Sequence, residues 1–160
     1  MSASDTRDES TDTSGALIRR SLRLAGHAIV DYRIVKDDPP LVVSHLRALA
    51  RKSRARVVLL TGGTGIARRD STFEAVTGLL DKRLDGFGEF FRALSYRKIG
   101  PAAMLSRAVA GTYRGMVVFS MPGSVDAVRL AMTRLILPEL PHVAGLVAKG
   151  ARKERHARCR

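Results

Sequence analysis

Val57-Val58-Leu59-Leu60-Thr61-Gly62-Gly63-Thr64-Gly65 sets the architecture of the chain. A short all-apolar run from Val57 to Leu60 is the mark of a strand buried on both faces, as in parallel sheets covered by helices. It breaks into a segment rich in glycine and threonine. Glycine permits positive φ and close backbone approach, so amide N–H groups can converge on phosphate oxygens. Thr61 and Thr64 add hydroxyl donors. The segment is not a P-loop, because no Gly-Lys-Ser/Thr follows, and its spacing is not that of a dinucleotide fingerprint. Taken alone, these residues fit a phosphate cradle or a simple strand-to-loop turn equally well.

Working outward toward the C-terminus, Arg68-Arg69-Asp70 forms a basic loop. Ser71 followed by Glu74 is a capping-box pattern and predicts a helix to about Leu80. Glu89 to Leu94 and Pro101 to Val109 read as helix. Met116 to Phe119 is a further strand, and Met121-Pro122-Gly123-Ser124 is the loop after it, with Ser124 as a cap. An amphipathic helix follows from Val125 to Leu137, its buried side carrying Val128, Ala131, Leu135 and Ile136. Pro138 and Pro141 bracket the last helix, which ends near Lys149. Toward the N-terminus, Arg51 to Arg56 is a basic connector. It follows a helix that starts at Asp38-Pro39 and buries Val42, Val43, Leu46, Leu49 and Ala50. His27 to Val35 alternates and predicts a strand. Ser14 to Ala25 predicts a helix stopped by Gly26, and residues 1–12 read as loop.

Strands alternating with helices predict a parallel α/β sheet covered on both faces. Ligands of such sheets bind beyond the carboxyl ends of the strands. Asp37, the glycine segment and the loop at 121–124 all fall on that edge.

The chain has 160 residues, 45% of them hydrophobic, which predicts one domain with one core. With no Trp and 5% aromatics, the core is expected to be aliphatic. No uninterrupted apolar run is long enough to span a membrane, and the polar start is no secretory signal. The lone cysteine, Cys159, permits no internal disulfide; a cytoplasmic setting is the expectation. The net charge of +13 predicts an affinity for anions, nucleic acid or phosphorylated small molecules. A nucleic-acid module is disfavoured, because no recognition-helix motif or aromatic stacking strip is present. Residues 150–160 are basic without apolar period, and predict a disordered tail after a domain spanning 1–149.

Asp37 and Asp70 both fall at the carboxyl edge next to helix starts. Carboxylates beside a phosphate site imply a cation between them, typically Mg²⁺; alone, each residue also fits a helix cap or turn. His27, His45, His142 and His156 have no metal-ligand spacing. Cys159 has no evident base, and no Ser-His-Asp order has supporting context.

Leu60-Thr61-Gly62-Gly63-Thr64-Gly65-Ile66-Ala67-Arg68-Arg69-Asp70 with Glu74-Ala75 resembles the signature of the molybdenum cofactor biosynthesis proteins B and Mog. Ser4-Asp5-Thr6-Arg7 and Asp12-Thr13-Ser14-Gly15 resemble that family's N-terminal loop. Leu94-Ser95, Ile99-Gly100, Ala102 to Ala108, Met121 to Ser124 and Leu137 to His142 resemble the B branch in particular. The likeness covers about residues 4–149.

The resemblance implies a three-layer α/β/α sandwich around a mostly parallel sheet, and binding of molybdopterin. It implies Mg²⁺- and ATP-dependent adenylylation of molybdopterin with release of pyrophosphate, or, as the alternative, binding of molybdopterin without turnover. It places Asp37 and Asp70 as the catalytic positions acting through Mg²⁺. Thr61, Gly62, Gly63, Thr64 and Gly65 would cradle the ligand, with Asp5, Ser14, Gly15, Glu74, Ser106, Arg107, Pro122, Gly123 and Ser124 around it. Arg68, Arg69 and Arg107 are basic candidates for a phosphate or pyrophosphate. A homotrimer or homohexamer is implied, with no membrane partner.

Three features depart from the family pattern. Phe73 stands where proline is usual, and the basic tail is foreign to the pattern. Only Met1-Ser2-Ala3 stands where the family has a full first strand. The expectation is that Met1 to Ser4 runs extended into a slot between the strands at 27–35 and 57–60. A chain starting at Met1 is then expected to melt below one extended upstream.

Overall fold

The computed structural model describes residues 1–52, 54–67 and 70–158. Its elements in chain order are β1 (Ser2–Ala3), α1 (Thr13–Leu24), β2 (Ile34–Val35), α2 (Pro39–Lys52), β3 (Val57–Thr61), α3 (Thr72–Thr77), β4 (Lys82–Arg83), α4 (Asp85–Ile99), β5 (Val109–Tyr113), β6 (Met116–Met121), α5 (Val125–Ala131) and α6 (Leu137–Arg158). A 3₁₀ turn over Gly100–Leu105 follows α4, and a π turn over Met132–Ile136 joins α5 to α6.

One sheet, in the order β2-β1-β3-β6-β5-β4, forms the middle layer. Its β2, β1, β3 and β6 run parallel; β5 is reversed against β6, and β4, antiparallel to β5, returns to the common direction. Period-two alternation splits the core between the two faces. Leu59, Val117, Phe119 and Met121 pack with Ile18, Phe87, Phe91, Val128 and Ile136 on one side. Val58, Leu60, Met116 and Val118 pack with Val42, Leu46, Leu49 and Val76 on the other. The sheet is thus sandwiched between helices, as the apolar run of β3 requires.

Met1 to Ser4 lies extended between β2 and β3, as expected. Ser2 pairs with Ile34 and Thr61, and Ala3 with Val35. The Ser2 amide donates to the Arg33 carbonyl at 2.9 Å and the Thr61 amide to the Met1 carbonyl at 3.2 Å.

Several local expectations are corrected. The strand at His27 to Val35 shrinks to Ile34–Val35. A strand exists only where a partner completes its ladder, and two-residue β1 reaches only that far. Residues 27–32 instead wall a cavity of about 320 Å³ against Ile18, Leu22 and the start of β3. Pro101 to Val109 is not one helix: the 3₁₀ turn ends at Leu105, and Val109 opens β5. The stretch at Glu89 to Leu94 belongs to the longer α4. The capping box at Ser71 does not close, because the Glu74 carboxylate turns to Arg107.

The prolines do not start a separate last helix. Leu137 donates back to the Met132 carbonyl, and the π turn carries the chain into α6 with Pro141 inside it. In the structure α6 runs on to Arg158; alanine, arginine, lysine and glutamate are strong helix formers. Cys159 and Arg160 lie outside the described residues. By length and composition, Val125–Lys149 is also apolar enough to cross a membrane, which a search for one unbroken apolar run overlooks. Within the fold, Val128, Leu130, Ala131, Met132, Ile136 and Leu140 from this stretch are buried in the core.

Candidate functional site

The carboxyl ends of β1, β2, β3 and β6 open onto one cleft of about 410 Å³. Asp5, Asp37, Gly62, Gly63, Thr64, Gly65, Asp70, Ser106, Pro122 and Gly123 all line it, so the loops that the sequence pattern singles out do converge.

Backbone geometry explains the paired glycines. Gly62 has φ +102°, and a Cβ there would sit 2.1 Å from the Ala3 carbonyl oxygen. Only glycine lets β1 lie against this turn. Gly63 has φ +60°, and its Cβ would fall 2.4 Å from Asp37 Oδ1 and 2.5 Å from Thr72 Cβ. The loop therefore brings its backbone directly onto Asp37. Gly62 donates its amide to the Met121 carbonyl at 3.1 Å, and the Thr61 hydroxyl donates to the Pro122 carbonyl at 3.1 Å. Thr61 is fully buried and acts as a strut beneath the cleft.

Asp37 accepts a hydrogen bond from the Thr72 hydroxyl at 2.6 Å, and its amide donates to the Asp5 carboxylate at 3.2 Å. Burial raises its carboxyl pKa above the ordinary value; the Thr72 hydrogen bond opposes this, and the charges of Asp70 and Asp5 add to it. Asp70 accepts from the Ala67 amide at 3.0 Å. Among the described residues, no group of three or more His, Cys, Asp or Glu side chains is placed to hold a metal ion by itself. A pair of carboxylates with mutual repulsion is nevertheless the donor set that suits Mg²⁺, which binds through one or two carboxylates plus waters and substrate phosphates.

Other sequence-predicted residues stand behind the cleft. Ser14 is fully buried and donates its hydroxyl to the Gly123 carbonyl at 2.8 Å. Gly15 donates its amide to Asp12 at 2.9 Å and faces the other cavity. Ser124 caps α5, accepting from the Ala127 amide. Arg107 and Glu74 pair with each other at the edge of the glycine loop. Arg68 and Arg69 lie outside the described residues.

Two residues matter more than the sequence pattern indicates. Arg7 lines the cleft and donates to the Gly123 carbonyl at 2.8 Å. Behind it, Asp12 faces Arg7 at 3.6 Å and accepts from the hydroxyls of Ser2 and Tyr32. Burial pushes the Asp12 carboxyl upward, but the bonds from Ser2, Gly15 and Tyr32 with the charge of Arg7 outweigh it, and the net shift is downward. Tyr32 is pushed up to about 12, first by burial and then by Asp12. Sequence spacing marks Asp12 only as part of a loop; its partners lie on three separate segments.

Comparison with known proteins adds to this geometry. A family model described as a probable molybdopterin binding domain matches residues 1–142. Molybdenum cofactor biosynthesis protein B of Halalkalibacterium halodurans is 52% identical over 150 residues, 93% of this chain and 88% of that protein. The protein of the same name from Bacillus cereus is 55% identical over 144 residues, 89% of this chain and 85% of its own length. A crystal structure of a molybdenum cofactor biosynthesis protein B superposes with a TM-score of 0.89 at 53% identity, covering 92% of each chain.

Proposed function

The chain belongs to the family of probable molybdopterin binding domains, alongside the molybdenum cofactor biosynthesis B proteins, and from that premise we propose that it adenylylates molybdopterin with ATP. Its place in molybdenum cofactor biosynthesis and its binding of molybdopterin follow from the family itself.

The observation that carries the finer reading is the convergence of Gly62, Gly63, Thr64 and Gly65 with Asp37 and Asp70 on one cleft. In the proposed reaction, a terminal phosphate oxygen of molybdopterin attacks the α-phosphorus of ATP. A new P–O bond forms, the bond to the β-phosphate oxygen breaks, and pyrophosphate leaves. Nucleophile, electrophile and leaving group are all anionic, so catalysis consists of positioning and charge neutralisation. When bound, Mg²⁺ supplies that neutralisation between phosphate groups. Asp37 and Asp70 would hold it. Thr72 orients Asp37 through its hydroxyl, and the Ala67 amide orients Asp70. Arg7 is a cation in the cleft lining, steadied by Asp12 and Gly123 for the phosphate end of the ligand. We further propose a homotrimer or a hexamer of two trimers as the working form.

Purified protein incubated with molybdopterin and Mg-ATP is expected to release pyrophosphate and form adenylyl-molybdopterin. Folded protein that binds molybdopterin tightly yet releases no pyrophosphate would overturn the reaction in favour of binding alone.

A further inference from the structure

The sequence pattern predicts Arg107 as a receptor for substrate phosphate, but its guanidinium is committed to the protein. An arginine carries five N–H donors in a rigid fork. Nε donates to the Thr64 carbonyl at 3.1 Å. Nη2 donates to the carbonyls of Gly65 and, at 3.1 Å, Asp70. Nη1 donates to the Glu74 carboxylate. The guanidinium also lies 4.8 Å from the centroid of the Phe73 ring.

One nitrogen thus ties both ends of the segment 65–70, which carries Asp70 into the cleft. Inside that segment, the Asp70 amide donates to the Ala67 carbonyl at 2.8 Å and the Ala67 amide returns a bond to the Asp70 carboxylate. A Cβ on Gly65 would fall 2.4 Å from Asp70 Oδ2, so the carboxylate is seated on the loop backbone itself. Two sets of contacts thus bear on the place of Asp70: the local turn with Ala67, and the Arg107 bonds to the Gly65 and Asp70 carbonyls. Glu74 supplies the counter-charge, and the hydrogen bond from Arg107 holds its carboxyl below the usual glutamate value.

We propose that Arg107 is a positioning residue: with Glu74 it forms a bracket that fixes the glycine loop and, through it, the Asp70 carboxylate, without itself binding the ligand. The kinetic part of the test rests on the adenylylation reading; the bracket itself does not. Lysine distinguishes a bracket from a phosphate receptor. As a point charge it binds phosphate well, but it cannot reach three carbonyls and a carboxylate in a fixed fork.

The test compares Arg107→Lys, Arg107→Gln and Glu74→Gln with the parent protein. In pyrophosphate release, both Arg107 variants are expected to lose about 10–100-fold in kcat and to need more Mg²⁺ for half-maximal rate. The KM for ATP at saturating Mg²⁺ should change little. Near-parental activity in Arg107→Lys, or a raised KM with kcat intact, overturns the proposal in favour of a direct phosphate contact. Hydrogen exchange of the amides at 62–67 and 70 reads the bracket without any turnover. It is expected to quicken in Arg107→Lys while β3 and β6 stay protected. Glu74→Gln keeps an acceptor and every carbonyl in place, so it should quicken exchange less and serves if the Arg107 variants fold poorly. Unchanged exchange in this loop overturns the bracket whatever the kinetics. A parent protein that releases no pyrophosphate defeats the reaction reading alone, and the exchange result then decides the bracket.

Discussion

At the residue scale, Asp70 and Asp12 divide the work between chemistry and stability. Asp70→Asn is near-isosteric, and its amide oxygen can still accept from the Ala67 amide. What it deletes is charge beside Asp37. The expected result is an unaltered melting temperature with at least ~100-fold slower pyrophosphate release; an unchanged rate would make Asp70 a turn former only. Asp12→Ala acts oppositely, on the fold. It removes the α1 cap at Gly15, strands the hydroxyls of Ser2 and Tyr32, and leaves Arg7 without its buried counter-charge. Loss of one partner from such a buried pair costs about 3–5 kcal/mol, to be read as denaturant stability. The lowered carboxyl pKa of Asp12 gives the same network a pH signature. Its stabilisation is full above the ordinary carboxylate range and is lost as pH falls through the folded value.

At the element scale, β1 is a minimal strand set between two neighbours. It is two residues long, and its leading ammonium group is buried, donating to the Leu59 carbonyl at 2.9 Å. Burial lowers the pKa of that amine from 8.0 to about 6, against the raising influence of Asp31 and Asp12. Between those values the unfolded chain holds more protons than the folded one, so stability rises with pH across that window. The gain from this group is roughly 3 kcal/mol and is complete above the upper value. Acetylating the α-amine of a chain that starts at Met1 is expected to flatten that slope in denaturant titrations; an identical slope would place the titration elsewhere. The cavity beside β1 makes a second expectation. A short apolar extension placed before Met1 would continue β1 between residues 27–33 and the start of β3, pairing backbone groups and covering Ile18 and Leu22. Each added ladder bond is worth about 1 kcal/mol. A raised melting temperature is expected, and equal melting temperatures would show that the slot gains nothing from a strand.

At the scale of the whole molecule, several large apolar side chains on and just after α4 stay exposed. Phe90, Tyr96 and Ile99 on α4, with Met104 and Leu105 on the 3₁₀ turn, are each more than half exposed. We take these side chains as the surface that association would cover. Leu105 belongs both to it and to the cleft lining, so a partner seated there would border the site. Sedimentation at micromolar concentration is expected to show a trimer or hexamer. A stable monomer would reject the oligomer, and Phe90→Glu should dissociate it if this surface is the interface.

Sequence by itself determined the strands that stand alone as signals and the chemistry at their ends. Val57–Leu60 and Met116–Phe119 announce themselves because burial on both faces demands unbroken apolar runs, and both form as expected. The glycine segment is legible because positive φ at Gly62 and Gly63 leaves few other choices. Gly26, at φ +77°, stops α1 for the same reason, with the His27 amide reaching back to the Leu22 carbonyl. Tertiary structure decided what depends on a distant partner. Residues 27–33 alternate like a strand yet form none, because a ladder needs a neighbour and β1 supplies only Ser2 and Ala3. Val109–Tyr113 carries the β-formers Val109, Thr112 and Tyr113, but the central Gly111 weakens the signal, and antiparallel pairing with β6 is what makes it a strand. Ser71 and Glu74 spell a capping box, but a guanidinium 33 residues further on outcompetes the local bond. Local spacing records backbone preference and burial; it does not record which charge the fold will bring alongside.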